Sequence, residues 1–157
     1  MATSFPIKVI ICIVTCLGLG SLSGIISVSG LTEWYYTLNK PSFQPPSWVF
    51  GPAWTTLYTL MGIAVARIWR KPTSPLKTQA LKIFISQFII NLIWSPVFFA
   101  FRQPLIALLV IIIMWVLILW TIRIFKKLDP LAAYLLIPYI LWVSFATILN
   151  ASIVYLN

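Results

Sequence analysis

Residues 33–62 read EWYYTLNKPSFQPPSWVFGPAWTTLYTLMG, and the stretch changes character half-way along. Its first half holds Pro41, Pro45 and Pro46. These lack a backbone donor and favour extended or turn backbone, so a loop is expected over 29–47. Its second half is faced with rings. Trp54, Tyr58 and Met61 fall at i, i+4 and i+7 and share one side of a helix expected over about 48–68. Ser47, just after the Pro45-Pro46 stop, is placed to cap that helix. A simple connector needs no prolines, whereas a loop that must hold one shape over a cavity gains from them. Lys40, Pro41, Pro45 and Pro46 are therefore candidate lid residues. Trp34 and Phe50 flank the loop as candidate ligand contacts, although Trp34, Tyr35 and Tyr36 would equally suit an aromatic belt at headgroup level.

The surrounding composition decides the solvent. The 157 residues are 61% hydrophobic and 8% charged, with a mean hydropathy of +1.02. A soluble fold of this size must present a largely polar surface, so most of this chain faces lipid. A spanning helix takes ~20 apolar residues, which leaves room for about five. The expected spans are about 7–28, 48–68, 80–101, 104–125 and 130–156, an all-α, polytopic bundle forming one domain over 1–157. The N-terminal apolar stretch leads into further spans and reads as a retained helix, not as a cleaved leader.

Each span carries a few informative residues. The first has small residues in its second half, and Gly20-x-x-x-Gly24 allows a close helix approach, either inside the bundle or between two copies in a homodimer. In the third, Gln87, Asn91 and Ser95 lie at i, i+4 and i+8. Amides facing hydrocarbon are costly, so this stripe should turn toward protein, as bundle hydrogen bonds or as ligand contacts. Trp94 and Phe98 flank it, and Pro96 withholds the usual donor from the Leu92 carbonyl, which predicts a kink. Arg102 and Gln103 make a tight turn before Pro104 opens the fourth span, where at least one of Trp115 and Trp120 should face lipid. Asp129-Pro130 is a cap and first-position pair for the fifth. There Pro138 predicts a bend, and Trp142, Phe145, Ala146, Leu149 and Asn150 share a face.

The net charge is +9. The cations sit between spans and not along one face, which argues against nucleic acid and for anionic lipid headgroups. Lys8, Arg67, Arg70, Lys71, Lys77, Lys82, Arg123, Lys126 and Lys127 fall on one side, and Lys40 and Arg102 on the other. By the positive-inside rule the basic loops 69–79 and 123–128 are cytoplasmic, in a bacterial cell membrane or an organelle membrane. The only acids are Glu33 and Asp129, and histidine is absent. No ionisable group lies mid-span to couple transport to protons. No hydrolytic dyad can be assembled, and a haem cannot have an axial histidine. Cys12 and Cys16, one helical turn apart, suit neither a disulfide nor a metal. No metal and no cofactor is expected. Rings and a few amides remain, a lining suited to large, flat, apolar ligands with a polar edge, such as tetrapyrroles or sterols.

WYYTLNKPSFQPPSWVFGPAWTTLYTLMG, with NLIWSPVFF and AAYLLIPYILWVSFATILN, resembles the signature stretches of the TspO/MBR family, which includes the translocator proteins or peripheral-type benzodiazepine receptors. The resemblance covers about residues 18–155 in matching order. It implies a five-helix bundle, often a homodimer, that binds porphyrins, sterols such as cholesterol, and isoquinoline carboxamide or benzodiazepine drugs. It places Trp54 and Trp142 at positions linked to porphyrin binding and breakdown. Tyr58, Asn91 and Trp94 match the pocket wall, and Ala146, Leu149 and Asn150 match positions associated with drugs and sterol. The vertebrate sterol motif ends in a basic residue; here only Leu156 and Asn157 follow Tyr155, which favours tetrapyrroles and a bacterial member. The expected function is a membrane sensor, carrier or regulator for tetrapyrroles. Light- and oxygen-dependent porphyrin degradation through Trp54 and Trp142, or a purely structural role, are the alternatives.

Overall fold

The computed structural model describes residues 4–28 and 33–157. It is built of helices α1 (Phe5–Val28), α2 (Glu33–Thr37), α3 (Phe50–Trp69), α4 (Pro75–Ser95), α5 (Pro104–Leu128), α6 (Pro130–Tyr134) and α7 (Ile137–Leu156), with no strand among the described residues. Five helical stretches are long and apolar enough to cross a membrane. Isoleucines and leucines such as Ile10, Ile25, Leu109 and Leu141 stand exposed around the bundle. In lipid this is the favourable arrangement, because the backbone polar groups are satisfied within each helix.

Several element ends differ from expectation, each for a local reason. Ser47 does not cap α3; it opens a single 3-10 turn, Ser47–Val49, that leads into the helix. The third span begins five residues earlier than the apolar run suggests. Ser74 caps it by accepting from the Lys77 N–H at 3.1 Å, and Pro75 takes the first-turn position that needs no donor. The expected loop 29–47 contains the short helix α2, while its residues 29–32 lie outside the described ones. Pro96 turns the end of α4 into a π turn, Pro96–Ala100. Pro138 divides the fifth span, separating α6 from α7 at Leu135 and Leu136. Arg102 adopts a left-handed φ of 55°, which makes the tight turn into α5.

The spans close into a ring. α1 packs along α3 on one side and along α4 and the π turn on the other; α4 packs on α5, α5 on α6 and α7, and α6 returns to α3. α1 presents Cys16, Gly20, Ser23 and Ser27 to this ring. Because Pro96 has no N–H, the Leu92 carbonyl needs another donor, and the Ser23 hydroxyl supplies it at 2.7 Å. Ser27 pairs with Ser95 at 2.6 Å one turn further on. Thus the small stripe of α1 docks on the proline-interrupted end of α4. Gly20 is buried here, and a Cβ on it would strike the Tyr58 ring, whereas Gly24 points away from the bundle into open space. The two glycines consequently serve different surfaces, and only Gly24 is available to a second copy. Gly20→Val should lower the thermal midpoint in detergent through overpacking of roughly 1–3 kcal/mol, while Gly24→Val should leave it unchanged.

One end of the bundle is fastened by charge. Asp129 caps α6, its Oδ1 accepting from Leu131 N–H at 3.1 Å and Ala132 N–H at 3.2 Å. Its Oδ2 lies 3.0 Å from Arg67 Nη2 and 3.3 Å from Lys71 Nζ, so the end of α3 is tied to the start of the fifth span. Desolvation pushes the carboxyl pKa up, but the Arg67 and Ala132 hydrogen bonds, Lys71 and the Arg67 charge outweigh it and hold the value below the usual carboxylate range. A lowered folded-state pKa stabilises the fold above the unfolded value, about 4, and that contribution is lost as pH falls below it. Melting curves from neutral to strongly acidic pH should therefore show a loss on acidification that Asp129→Asn abolishes. At neutral pH this variant, which keeps a capping oxygen, should be less stable than wild type by roughly 2–3 kcal/mol, between exposed and buried pairs.

Candidate functional site

The face that begins at Phe50 runs up α3 toward the middle of the bundle. Trp54 stacks on Tyr58, centroids 5.4 Å apart and planes 28° apart, and meets Tyr139 of α7 edge-on at 6.5 Å. Beneath these rings runs a buried chain of hydrogen bonds. Tyr58 Oη donates to Asn91 Oδ1 at 2.8 Å, Asn91 Nδ2 donates to Tyr139 Oη at 2.8 Å, and Tyr139 Oη donates to Gln87 Oε1 at 2.8 Å. The polar stripe on α4 does turn inward, and it binds α3 to α7. Gln87 Nε2, at the end of the chain, is buried without a partner.

A second polar tie lies toward the loop end. Trp94 Nε1 donates to Asn150 Oδ1 at 3.2 Å, and Asn150 Nδ2 donates to the Pro104 carbonyl at 2.9 Å. Both site amides, Asn91 and Asn150, therefore have their oxygen and nitrogen engaged by protein. They shape the wall, and each keeps one further N–H and one further lone pair beyond these bonds. Like Gln87 Nε2, Trp142 Nε1 is buried and has no partner among the described residues.

Trp142 sits where rings, and not close backbones, join α3 and α7. The backbone of α3 packs on α6 but comes close to almost none of α7. Aromatic side chains fill this seam: Phe50 meets Trp142 edge-on at 5.9 Å, and Trp142 meets Phe145 at 5.8 Å. Ala146 and Leu149 are buried on the same face of α7, Ala146 in the main core and Leu149 in a smaller cluster with Phe98, Ala107 and Ile153. Trp34 reaches this smaller cluster through Phe98, 6.4 Å away.

The loop packs on the end of this seam. Phe43 packs edge-on against Phe145 at 6.3 Å. Gln44 Nε2 donates to Tyr35 Oη at 3.0 Å, and Lys40 Nζ lies 4.3 Å from the Tyr35 ring centroid. The Pro41 carbonyl accepts from Gln44 N–H at 3.1 Å and the Pro46 carbonyl from Val49 N–H at 3.0 Å, so two successive turns begin at prolines. The loop is also latched to the end of α7: Asn39 N–H donates to Asn157 Oδ1 at 2.9 Å, and Asn157 Nδ2 donates back to the Asn39 carbonyl at 3.0 Å. A hollow of about 550 Å³ lies on the outer side of this latch, lined by Lys40, Pro41, Ser42, Ala151, Ser152, Tyr155 and Leu156. It is separate from the ring-lined seam.

The chain belongs to the TspO/MBR family. The family profile, described as TspO/MBR family, matches residues 12–156. A Tryptophan-rich protein TspO of Chlorobaculum tepidum is 39% identical over 152 residues, covering 94% of each chain. The Tryptophan-rich sensory protein of Cereibacter sphaeroides is 42% identical over 125 residues, 80% of this chain and 77% of that one. The human translocator protein is 37% identical over 120 residues, 75% and 71% respectively. Within this family member, the structure gathers Phe50, Trp54, Tyr58, Asn91, Trp142 and Ala146 along the α3–α7 seam, and Trp34, Trp94, Leu149 and Asn150 toward the loop end.

Sequence reasoning missed Gln87 as the end of the hydrogen-bond chain, Tyr139, Phe43 and the Asn39–Asn157 latch. Tyr139 was findable: it lies three residues before Trp142 and seven before Ala146, on the same face, just after Pro138. Nothing local distinguishes Asn39 or Asn157, which meet from opposite ends of the chain. Removing the Asn157 side chain severs these two bonds and leaves Asn39 Nδ2 donating to the Leu156 carbonyl at 3.4 Å. Asn157→Ala should speed amide hydrogen exchange over residues 39–46 by about 2–10-fold, the equivalent of a net hydrogen bond. Unchanged exchange would mean that other contacts hold the loop.

Proposed function

We propose that this TspO/MBR member binds a flat, largely apolar ligand of the tetrapyrrole class between α3 and α7, under the Lys40–Pro46 loop. It then acts as a membrane sensor, carrier or regulator. The observation that carries this reading is the aromatic seam between α3 and α7, made by Phe50, Trp54, Trp142 and Phe145, with the Trp142 indole N–H buried and without a partner among the described residues. A ring-rich seam that holds a buried, unsatisfied indole donor is more than packing alone requires. A flat ring system can replace the ring-on-ring contacts by stacking, and a polar edge can accept from Trp142. Isoquinoline carboxamides and benzodiazepines have the same combination of flat rings and an acceptor. The names of the relatives, a sensory protein and a translocator, favour sensing or carriage over a structural role. With the basic helix ends cytoplasmic, the lid would open on the opposite face of the membrane. A homodimer would use the outward face of α1 around Gly24.

Protoporphyrin IX added to the purified protein should quench tryptophan fluorescence saturably. Trp54→Phe with Trp142→Phe should raise Kd by about 5–20-fold, through the lost indole hydrogen bond and reduced stacking area. An unchanged Kd would remove this site from consideration. If illumination in air yields a porphyrin product with wild type and not with the double variant, the site is catalytic and the sensor reading gives way to porphyrin degradation.

A further inference from the structure

The cations at the α6 end have unequal fates. Arg67 and Lys71 share Asp129. Lys77 Nζ donates to the Lys71 carbonyl at 2.6 Å. Lys8 lies over the Trp69 ring at 5.3 Å, and Arg70 over the Phe5 ring at 4.6 Å. Lys82, Arg123, Lys126 and Lys127 are exposed, and their side chains have no partner among the described residues. The chain holds only two acids, Asp129 is already engaged, and Glu33 belongs to the loop at the other end. The C-terminal dipole of α5 offers only about half a negative charge. Countercharge for the end of α5 therefore has to come from outside the chain.

Three of these four cations lie on α5, and two of them border a hollow. Val116, Leu119, Trp120, Arg123, Ile124 and Lys127 line a depression of about 380 Å³ along that helix. The positions run i, i+3, i+4, i+7, i+8 and i+11, so they form one strip with its charge at one end and its apolar length at the other. At 1.5 Å per residue the strip is ~16 Å long, about half of a ~30 Å hydrocarbon core. Its length is that of one leaflet. Trp120 is exposed where the apolar part meets the cations, the depth at which indoles sit in membranes.

We propose that this strip seats an anionic phospholipid, with its phosphate between Arg123 and Lys127 and one acyl chain along Val116, Leu119, Trp120 and Ile124. Charge complementarity calls for the anion, and the one-leaflet apolar length favours a lipid over a free phosphate. Lys82, which projects from α4 outside the strip, provides the comparison for diffuse surface charge.

The test places the full chain in phosphatidylcholine nanodiscs that contain a minority of brominated phosphatidylglycerol or, in parallel, the same fraction of brominated phosphatidylcholine. The Trp120 signal is the quenching seen in wild type minus that in Trp120→Phe. Phosphatidylglycerol should be preferred by about fivefold for each engaged cation. The preference should vanish in Arg123→Gln with Lys127→Gln, persist in Lys82→Gln, and persist in the charge-retaining pair Arg123→Lys with Lys127→Arg. Inorganic phosphate should not displace the lipid. Equal quenching by the two lipids would overturn the proposal. So would loss of preference in Lys82→Gln or in the charge-retaining pair, displacement by phosphate alone, or Trp120 shielded from both lipids by a second copy of the chain.

Discussion

The run of hydrogen bonds from Tyr58 through Asn91 and Tyr139 to Gln87 holds three spans together at a depth where water cannot substitute for a missing partner. In lipid the gain from burying apolar side chains between helices is small, because lipid tails are equally apolar. Association then depends on close packing and on polar groups that have nowhere else to go. The tie between α4 and α1 obeys the same constraint. A proline withholds one donor from the Leu92 carbonyl, and Ser23 supplies another. Gly20 lets Tyr58 settle against α1 so that the phenol reaches Asn91. Glycine, serine, proline and amide, individually poor choices for a helix interior, are mutually required here.

The two ends of the bundle are built on different physics. At the α6 end, Asp129 gathers two cations and two backbone N–H groups, which clamps the end of α3 to the fifth span. At the loop end the same pair of spans is joined by aromatic rings, covered by Phe43 and fastened by neutral hydrogen bonds between Asn39 and Asn157. The bundle thus has a charged clamp at one end and a ring-filled, hydrogen-bonded seam at the other.

Asn91 and Asn150 fix the rings around them, each through its oxygen and its nitrogen. In the proposed reading, recognition falls mainly to the rings and to the Trp142 N–H, a lining that would select by flatness and by an acceptor position. It is compatible with the range of ring systems that the family resemblance implies, and no acid, base or metal ligand enters it.

Membrane residence, the approximate spans, the inward-facing amide stripe and the Asp129-Pro130 cap were legible in the sequence, because each follows from local periodicity or from a residue's own backbone chemistry. The early start of α4 was less so, since Ser74-Pro75 lies in a polar stretch that hydropathy alone reads as loop. The pairing of Asn39 with Asn157, the donor for Leu92 and the engagement of Asn150 had no local signal at all. By itself the sequence determined that the chain lies in lipid, where its helices break, and which faces carry rings and amides. Only the tertiary structure decided which partners the amides take, which glycine faces inward and which indole N–H lacks a partner among the described residues. Hydrogen-bond partners across a bundle are set by distances between segments far apart in the chain, and helical periodicity carries no information about those distances.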